Sequence, residues 1–298
     1  MNHKTILVIG ATGLLGEPVA RQLRADGYRV RVFTRSPEKA RARFGPGFEI
    51  VTGGVEDMSA LKQALRGCAG VHINLYDGRD PDLERRGASA VAQAAAQSGV
   101  QRVTYLSGST VSEANRWYAG TEAKWQAEAA LRQSGVPFTV FRAAAFMESL
   151  PRYVRGNRAR YIGSQPHLWH WVAAADYARM VSKACADPRA ANKILYVHGP
   201  QALTLRDALE TYGRIVHPTL KVSRLPIWMA SLMATLFRVQ ALAEALPFIR
   251  YAERVREEGD PAEANALLGA PTTTLEQWSR AQALSAQSRA APAGAGWR

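Results

Sequence analysis

Cysteine is scarce in this chain. Cys68 and Cys185 are the only two, far apart and in no CxxC pair, which excludes a disulfide framework and a thiolate zinc site and fits a reducing, cytoplasmic setting. Long apolar runs are missing as well. Ile6-Leu7-Val8-Ile9 is too short for a signal peptide and reads as a buried strand, and the thirteen uncharged residues from Leu225 to Phe237 fall short of the ~20 that span a bilayer. Acid is in deficit, with 25 Asp and Glu against 38 Lys and Arg and a formal net charge of +13. That balance admits nucleic acid, an anionic membrane or a phosphorylated small molecule as partner. The basic residues are mostly arginines scattered through helix-like stretches, without a Lys/Arg block or interleaved aromatics, so nucleic acid is not expected. No GxSxG elbow occurs, which argues against hydrolase chemistry, and no internal repeat is visible.

What is present describes a folded globular protein, 47% hydrophobic and 21% charged over 298 residues. Val- and Ile-rich runs recur at 5–9, 28–33, 48–51, 70–75, 100–106 and 137–141, with helix-like stretches between most of them. Continuous rather than alternating hydrophobicity means that both faces of each strand are covered, which predicts a doubly wound α/β fold around a parallel sheet. Helices are predicted over 82–98 and 121–134, each stopped by a glycine, Gly99 and Gly135.

Beyond Phe141 the rhythm loosens. Residues 152–160 read as a basic loop, 193–198 as a late strand returning to the core, and the tail from Ala281 as frayed. The division expected is a Rossmann-type core over 1–150, a smaller, mostly helical substrate or lid region over 151–285, and a disordered tail over 286–298. His167, Trp169, His170 and Trp171 suit either an aromatic pocket lining or a hydrophobic wall, and they lack the carboxylate or cysteine a metal site would need. The apolar segment from Leu225 is read as a buried or lid helix, with a peripheral membrane or protein contact through 225–248 as the alternative.

The strongest motif is Gly10-Ala11-Thr12-Gly13-Leu14-Leu15-Gly16, directly after the first strand and opening the first helix. Glycines there allow a tight turn, close approach of a pyrophosphate and close helix packing, while the helix N-terminus offers free N–H groups to the anion. At the end of the second strand, where an NAD-specific site carries an acid, the sequence reads Val32-Phe33-Thr34-Arg35-Ser36. Arg35 and Ser36 suit a 2′-phosphate, so NADP(H) is favoured and NAD(H) is the alternative; a solvated arginine is the plainer reading. Asp57 is placed either to accept from an adenine amino group or to cap a helix. Ser107, Gly108, Ser109 and Thr110 close the fifth strand, where open α/β sheets bind ligands; a hydroxyl there either polarises a carbonyl or caps a turn.

Together with the run 99–107, Lys124 with Glu128, and Gly135 through Arg142, these motifs make residues 4–215 resemble the NmrA-like, atypical branch of the short-chain dehydrogenase/reductase superfamily. The resemblance implies Lys124 beside the nicotinamide ribose. It also exposes a departure, because the Tyr-x-x-x-Lys pattern of standard members would place its tyrosine at position 120, which is Gly120 here, and Tyr118 stands two residues earlier. Three readings stay open: Tyr118 reaches in, Lys124 acts alone with a pKa lowered by burial or a neighbouring cation, or no proton is transferred. An exposed helix lysine is the plain alternative. The function implied is an NADP(H)-dependent oxidoreductase acting on a small apolar or aromatic carbonyl, enone or quinone-like substrate; the alternative is a non-catalytic NAD(P)H-binding sensor or accessory subunit. The oligomeric state is left open by the sequence.

Overall fold

The apolar runs become strands and the stretches between them become helices. The computed structural model describes residues 4–290 apart from 77–79, 81 and 144. Strand and helix alternate through β1 (Thr5–Ile9), α1 (Gly16–Ala25), β2 (Arg29–Thr34), α2 (Pro37–Phe44), β3 (Glu49–Thr52), α3 (Met58–Leu65), β4 (Cys68–Ile73), α4 (Leu83–Gln97), β5 (Arg102–Gly108), α5 (Ala119–Gln133) and β6 (Phe138–Ala143). Short strands follow, β7 (Val154–Arg155), β8 (Arg158–Ile162) and β9 (Trp169–His170), then α6 (Ala174–Ala186), β10 (Lys193–Val197), β11 (Ala202–Leu203), α7 (Leu205–Val216) and β12 (Lys221–Leu225). Four helices complete the chain: α8 (Ile227–Leu236), α9 (Gln240–Ala252), α10 (Ala262–Leu268) and α11 (Leu275–Ala290).

These elements form two compact units. The first holds the described residues of 1–144, 174–198 and 254–271, and the second those of 145–173, 199–253 and 272–298. In the first unit seven strands make one sheet in the order β10-β6-β5-β4-β1-β2-β3. Every pairing is parallel, as expected of a doubly wound Rossmann-type fold. From β1 the chain winds outward through β2 and β3, then crosses back to β4 and winds the other way. The crevice beyond the carboxyl ends of β1 and β4 is therefore the switch point where such sheets bind ligands. Leu7, Ile9, Val71, Ile73, Tyr105 and Val140 form the buried centre with Leu61, Leu65, Val91 and Leu131 of the covering helices.

In the second unit β7 and β8 form a hairpin and β12 pairs parallel to β8. The core there gathers Met147, Leu150, Tyr161, Trp171, Leu209, Tyr212 and Trp278. Three sequence expectations are corrected in this unit. The 152–160 stretch is a hairpin rather than a loop, because two short strands turn on Gly156 and Asn157. The stretch from Ala281 continues helix α11 to Ala290, whose first turns bury Leu275, Trp278 and Ser279; residues 291–298, also expected to be disordered, lie outside the described residues. Helix α8 is not buried: Ala230 alone is buried there, so the reading of a buried helix fails. The aromatic cluster divides, with Trp171 in the core, donating its indole N–H to the Leu203 carbonyl at 3.1 Å, and Leu168 exposed. Among the described residues no helix is long and apolar enough to cross a membrane.

Candidate functional site

The site is built where β1 and β4 end. Gly10 follows β1 with φ 76°, and a Cβ there would lie 1.9 Å from the Asn74 carbonyl oxygen beyond β4, so no other residue fits. The main chains meet at this point, with Asn74 donating its N–H to the Ile9 carbonyl at 3.2 Å. Gly13 donates its N–H to the Gly10 carbonyl at 2.9 Å, closing the turn, and a Cβ on Gly16 would stand 2.2 Å from that same oxygen. Gly10 and Gly16 are thus required by backbone contact, while a Cβ on Gly13 would stand 3.1 Å from the Gly10 carbonyl oxygen, a tight fit rather than a forbidden one. Leu15 occupies the cap position of α1 and makes no side-chain cap; the Glu17 N–H donates back to the Gly13 carbonyl at 3.3 Å and Pro18 has none to give. Thr12 is half-buried and Leu14 exposed on the same loop. The carbonyl of Thr12 accepts from Arg43, and Arg43 pairs with Glu17 at 3.0 Å, which fastens α2 to the turn.

Arg35 and Ser36 are exposed just past β2. Among the described residues no hydrogen bond or ion pair holds the Arg35 guanidinium. Ser36 donates its backbone N–H to Thr34 Oγ1 at 3.0 Å and opens α2 without using its hydroxyl as a cap. Asp57 takes the capping role: its carboxylate accepts from the Ala60 N–H at 3.0 Å and starts α3.

Lys124 is held by a carboxylate that sequence reading missed. Its ammonium donates to Glu84 Oε1 at 2.5 Å, the same oxygen accepts the Tyr105 hydroxyl at 2.7 Å, and Nζ lies 5.8 Å from the Tyr105 ring centre. Three neighbouring elements, α4, β5 and α5, contribute one residue each. Burial, and then the charge and hydrogen bond of Glu84, push the Tyr105 phenol well above its ordinary range, so it remains a donor to the carboxylate. The charged group that holds Lys124 is thus a buried carboxylate. Nothing in the sequence flags Glu84, which sits amid Asp82, Arg85 and Arg86 at the start of a helix and looks like any solvated first turn.

One turn beyond Lys124 stands a second network. Ser107 donates its hydroxyl to Glu128 at 2.6 Å, and Arg142 holds both oxygens of Glu128 at 3.1 and 2.7 Å. Arg142 also donates to the Tyr196 hydroxyl at 2.8 Å. Glu128 is completely buried and engages the Ser107 hydroxyl. Tyr118 takes the cap position of α5, half-buried. Its ring lies against Gly120: a Cβ on Gly120 would sit 2.6 Å from Tyr118 Cε1 and 3.2 Å from Cζ. The tyrosine ring therefore fills the space a side chain at position 120 would occupy, one helical turn before Lys124.

Two further titratable groups of the first unit are His72 and Cys185. His72 is fully buried in β4, with Nδ1 at 2.9 Å from Thr104 Oγ1. Burial pulls its pKa down to about 3, so the ring is neutral at ordinary pH. Burial pushes the Cys185 thiol up to about 12, which leaves it inert as a nucleophile.

Residues 2–276 match the sequence model of the NmrA-like family. The chain is 32% identical to the (4-alkanoyl-5-oxo-2,5-dihydrofuran-3-yl)methyl phosphate reductase of Streptomyces griseus subsp. griseus, over 92% of this chain and 96% of that one. It is 25% identical to the photosystem II assembly factor Ycf39 of Trieres chinensis, over 78% and 76% of the two chains. Among solved structures, the NADPH-dependent quinone oxidoreductase of Escherichia coli complexed with NADPH superposes with a TM-score of 0.72 at 22% identity, over 93% of this chain and 99% of that one. That likeness is one of fold.

Proposed function

The chain belongs to the NmrA-like family, and on that premise we propose that it is an NAD(P)H-dependent reductase that prefers NADP(H). The observation that carries the cofactor preference is Arg35, exposed, without an ionic partner among the described residues, and standing where an NAD-specific site would place an acid. In this reading the backbone of Gly10, Thr12, Gly13, Leu14, Leu15 and Gly16 receives the pyrophosphate, and Arg35 with Ser36 receives the 2′-phosphate. The fit rests on the turn itself, where backbone stands in the space that side chains would fill. Asp57 serves the adenine end with the carboxylate oxygen that does not cap α3.

When bound, the nicotinamide supplies the hydride; the protein's part is to orient it and deliver a proton. Lys124, fixed by Glu84, binds on the ribose side, and Ser107 shapes that wall through Glu128. Tyr118 is the proton donor in this scheme, because its ring occupies the place one turn before Lys124. The substrate class proposed is a small, apolar or aromatic carbonyl conjugated to an alkene, an enone or a quinone. Support for the conjugated carbonyl comes from the Streptomyces relative, whose name describes an alkanoyl oxo-dihydrofuran that also carries a methyl phosphate, and from the quinone oxidoreductase of the same fold. A cytoplasmic location goes with this reading.

Titration of NADPH and NADH, followed by fluorescence and thermal stability, tests it. NADPH is expected to bind more tightly, and Arg35→Ala to weaken NADPH by about 10- to 100-fold while leaving NADH nearly unchanged, the scale of losing charged hydrogen bonds. Equal affinities in both proteins would overturn the cofactor assignment. Tight binding with no turnover across carbonyls, enones and quinones would leave the sensor reading standing instead.

A further inference from the structure

Strand register in the second unit produces an arrangement that the reductase reading does not use. In the hairpin Arg155 faces Arg158, and in the parallel pair Arg158 faces Lys221, Arg160 faces Ser223 and Ile162 faces Leu225. Side chains alternate across a strand, so Arg155, Arg158 and Lys221 stand in one row on one face, Arg160 and Ser223 in the next, and Ile162 and Leu225 in the third. The other face carries Ala159 and Tyr161, which are buried in the core of the unit. Arg155, Arg158, Arg160 and Lys221 are all exposed. Among the described residues no carboxylate pairs with any of the four. Like charges directly opposite one another destabilise a sheet.

That face ends in the apolar pair Ile162 and Leu225, from which the chain runs through Pro226 into α8. That helix has no charged residue. A helix apolar on every side is normally buried, yet Trp228, Leu232 and Leu236, spaced four apart on one stripe, are 66%, 47% and 65% exposed, and Phe237 at its end is 72% exposed. Helix α9 adds exposed Phe248 and also Arg250, which donates to Ser231 at 3.1 Å; Arg238 follows the stripe, and Glu244 is the acid of α9. An apolar patch of this kind marks a docking surface.

We propose that this surface of the second unit docks on an anionic lipid bilayer, with the α8 stripe entering the headgroup boundary and the Arg155, Arg158, Arg160 and Lys221 face meeting lipid phosphates. Charge selects this occupant. A second copy of the chain would bring the same cations to a two-fold contact, where they repel, and a nucleic acid would engage the cations but leave the aromatic and aliphatic stripe in water. A bilayer that is anionic at its headgroups and apolar beneath satisfies the two features together.

Flotation of the full chain with vesicles of phosphatidylcholine alone, and of phosphatidylcholine mixed with phosphatidylglycerol, tests the proposal. Binding is expected only to the mixed vesicles and is expected to weaken as salt rises. The partition coefficient should fall roughly 25-fold in the Arg158→Ala/Lys221→Ala double variant, since each basic side chain at an anionic leaflet contributes a factor of about five. It should also fall at least tenfold in Trp228→Ser/Phe237→Ser. Thermal unfolding and circular dichroism verify that the exposed-site variants fold, and Leu236→Ser replaces any that does not. Three outcomes overturn the proposal: no flotation with either vesicle, DNA binding that the serine variants leave intact, or a dimer in sedimentation that Trp228→Ser dissolves.

Discussion

Gly120 has no side chain, and the ring of Tyr118 lies where one would stand. Substituting alanine there separates two effects that usually travel together. Within a helix alanine is favoured over glycine by about 0.5–1 kcal/mol, so on propensity alone Gly120→Ala holds or slightly raises stability. The added methyl would come 2.6 Å from Tyr118 Cε1, and the ring, held by one flexible side chain, must swing away. Gly120→Ala is therefore expected to keep its thermal midpoint and its NADPH affinity while kcat falls at least about tenfold. Tyr118→Phe, which keeps the ring and loses only the hydroxyl, should lower kcat by about 10²- to 10⁴-fold, the usual range for a lost general acid. Wild-type kcat in both variants would remove Tyr118 from the chemistry and turn attention to Lys124 and Glu84.

At the scale of the element, Asp57 shows how one residue can belong to a helix and to a ligand site at once. Its carboxylate caps α3, and Asp57→Ala should cost about 1 kcal/mol in urea unfolding. Asp57→Asn should restore that loss, because asparagine caps equally well; a weaker dinucleotide affinity that persists in Asp57→Asn would then report on the adenine contact alone. The elements themselves were legible where the signal is local. The strands of the parallel sheet follow the continuous apolar runs to within a residue or two, and the glycine turn announces itself because each glycine answers a contact within a few residues or at the adjoining strand end. Glu84 was not legible, since its meaning lies in Lys124 and Tyr105, which reach it only after α4, β5 and α5 come together. Helix α8 misled for the opposite reason. Apolar composition speaks for burial, and sequence carries no record of which face finds a partner. The hairpin of β7 and β8 escaped notice because strands of two and five residues, rich in arginine, lack the apolar run that reveals a strand.

At the scale of the whole first unit, the sheet is covered on both sides, and His72 sits fully buried within β4. That position gives global stability a pH dependence whose sign follows from burial. The folded chain holds His72 at about 3, against an ordinary value of 6.5 when unfolded, so between those values the unfolded state binds the extra proton and acid favours unfolding. The contribution is fully present above 6.5 and is lost as the pH falls toward 3. At pH 5 about 1.5 units of that window have been crossed, which amounts to roughly 2 kcal/mol at about 1.4 kcal/mol per unit. Asp82 and Asp187, each held at about 2 by hydrogen bonds from Arg85 and Arg189, act in a separate window below 3.8 and leave the pH 5 comparison untouched. Urea unfolding at pH 7 and pH 5 should therefore show the wild-type protein losing about 2 kcal/mol more than His72→Gln, whose amide can still reach Thr104 but binds no proton. The quantity compared is the pH difference within each protein, so any fixed cost of the substitution drops out. Equal losses in the two proteins would mean that His72 is protonated in the folded sheet, and the neutral, buried ring described for it would be wrong.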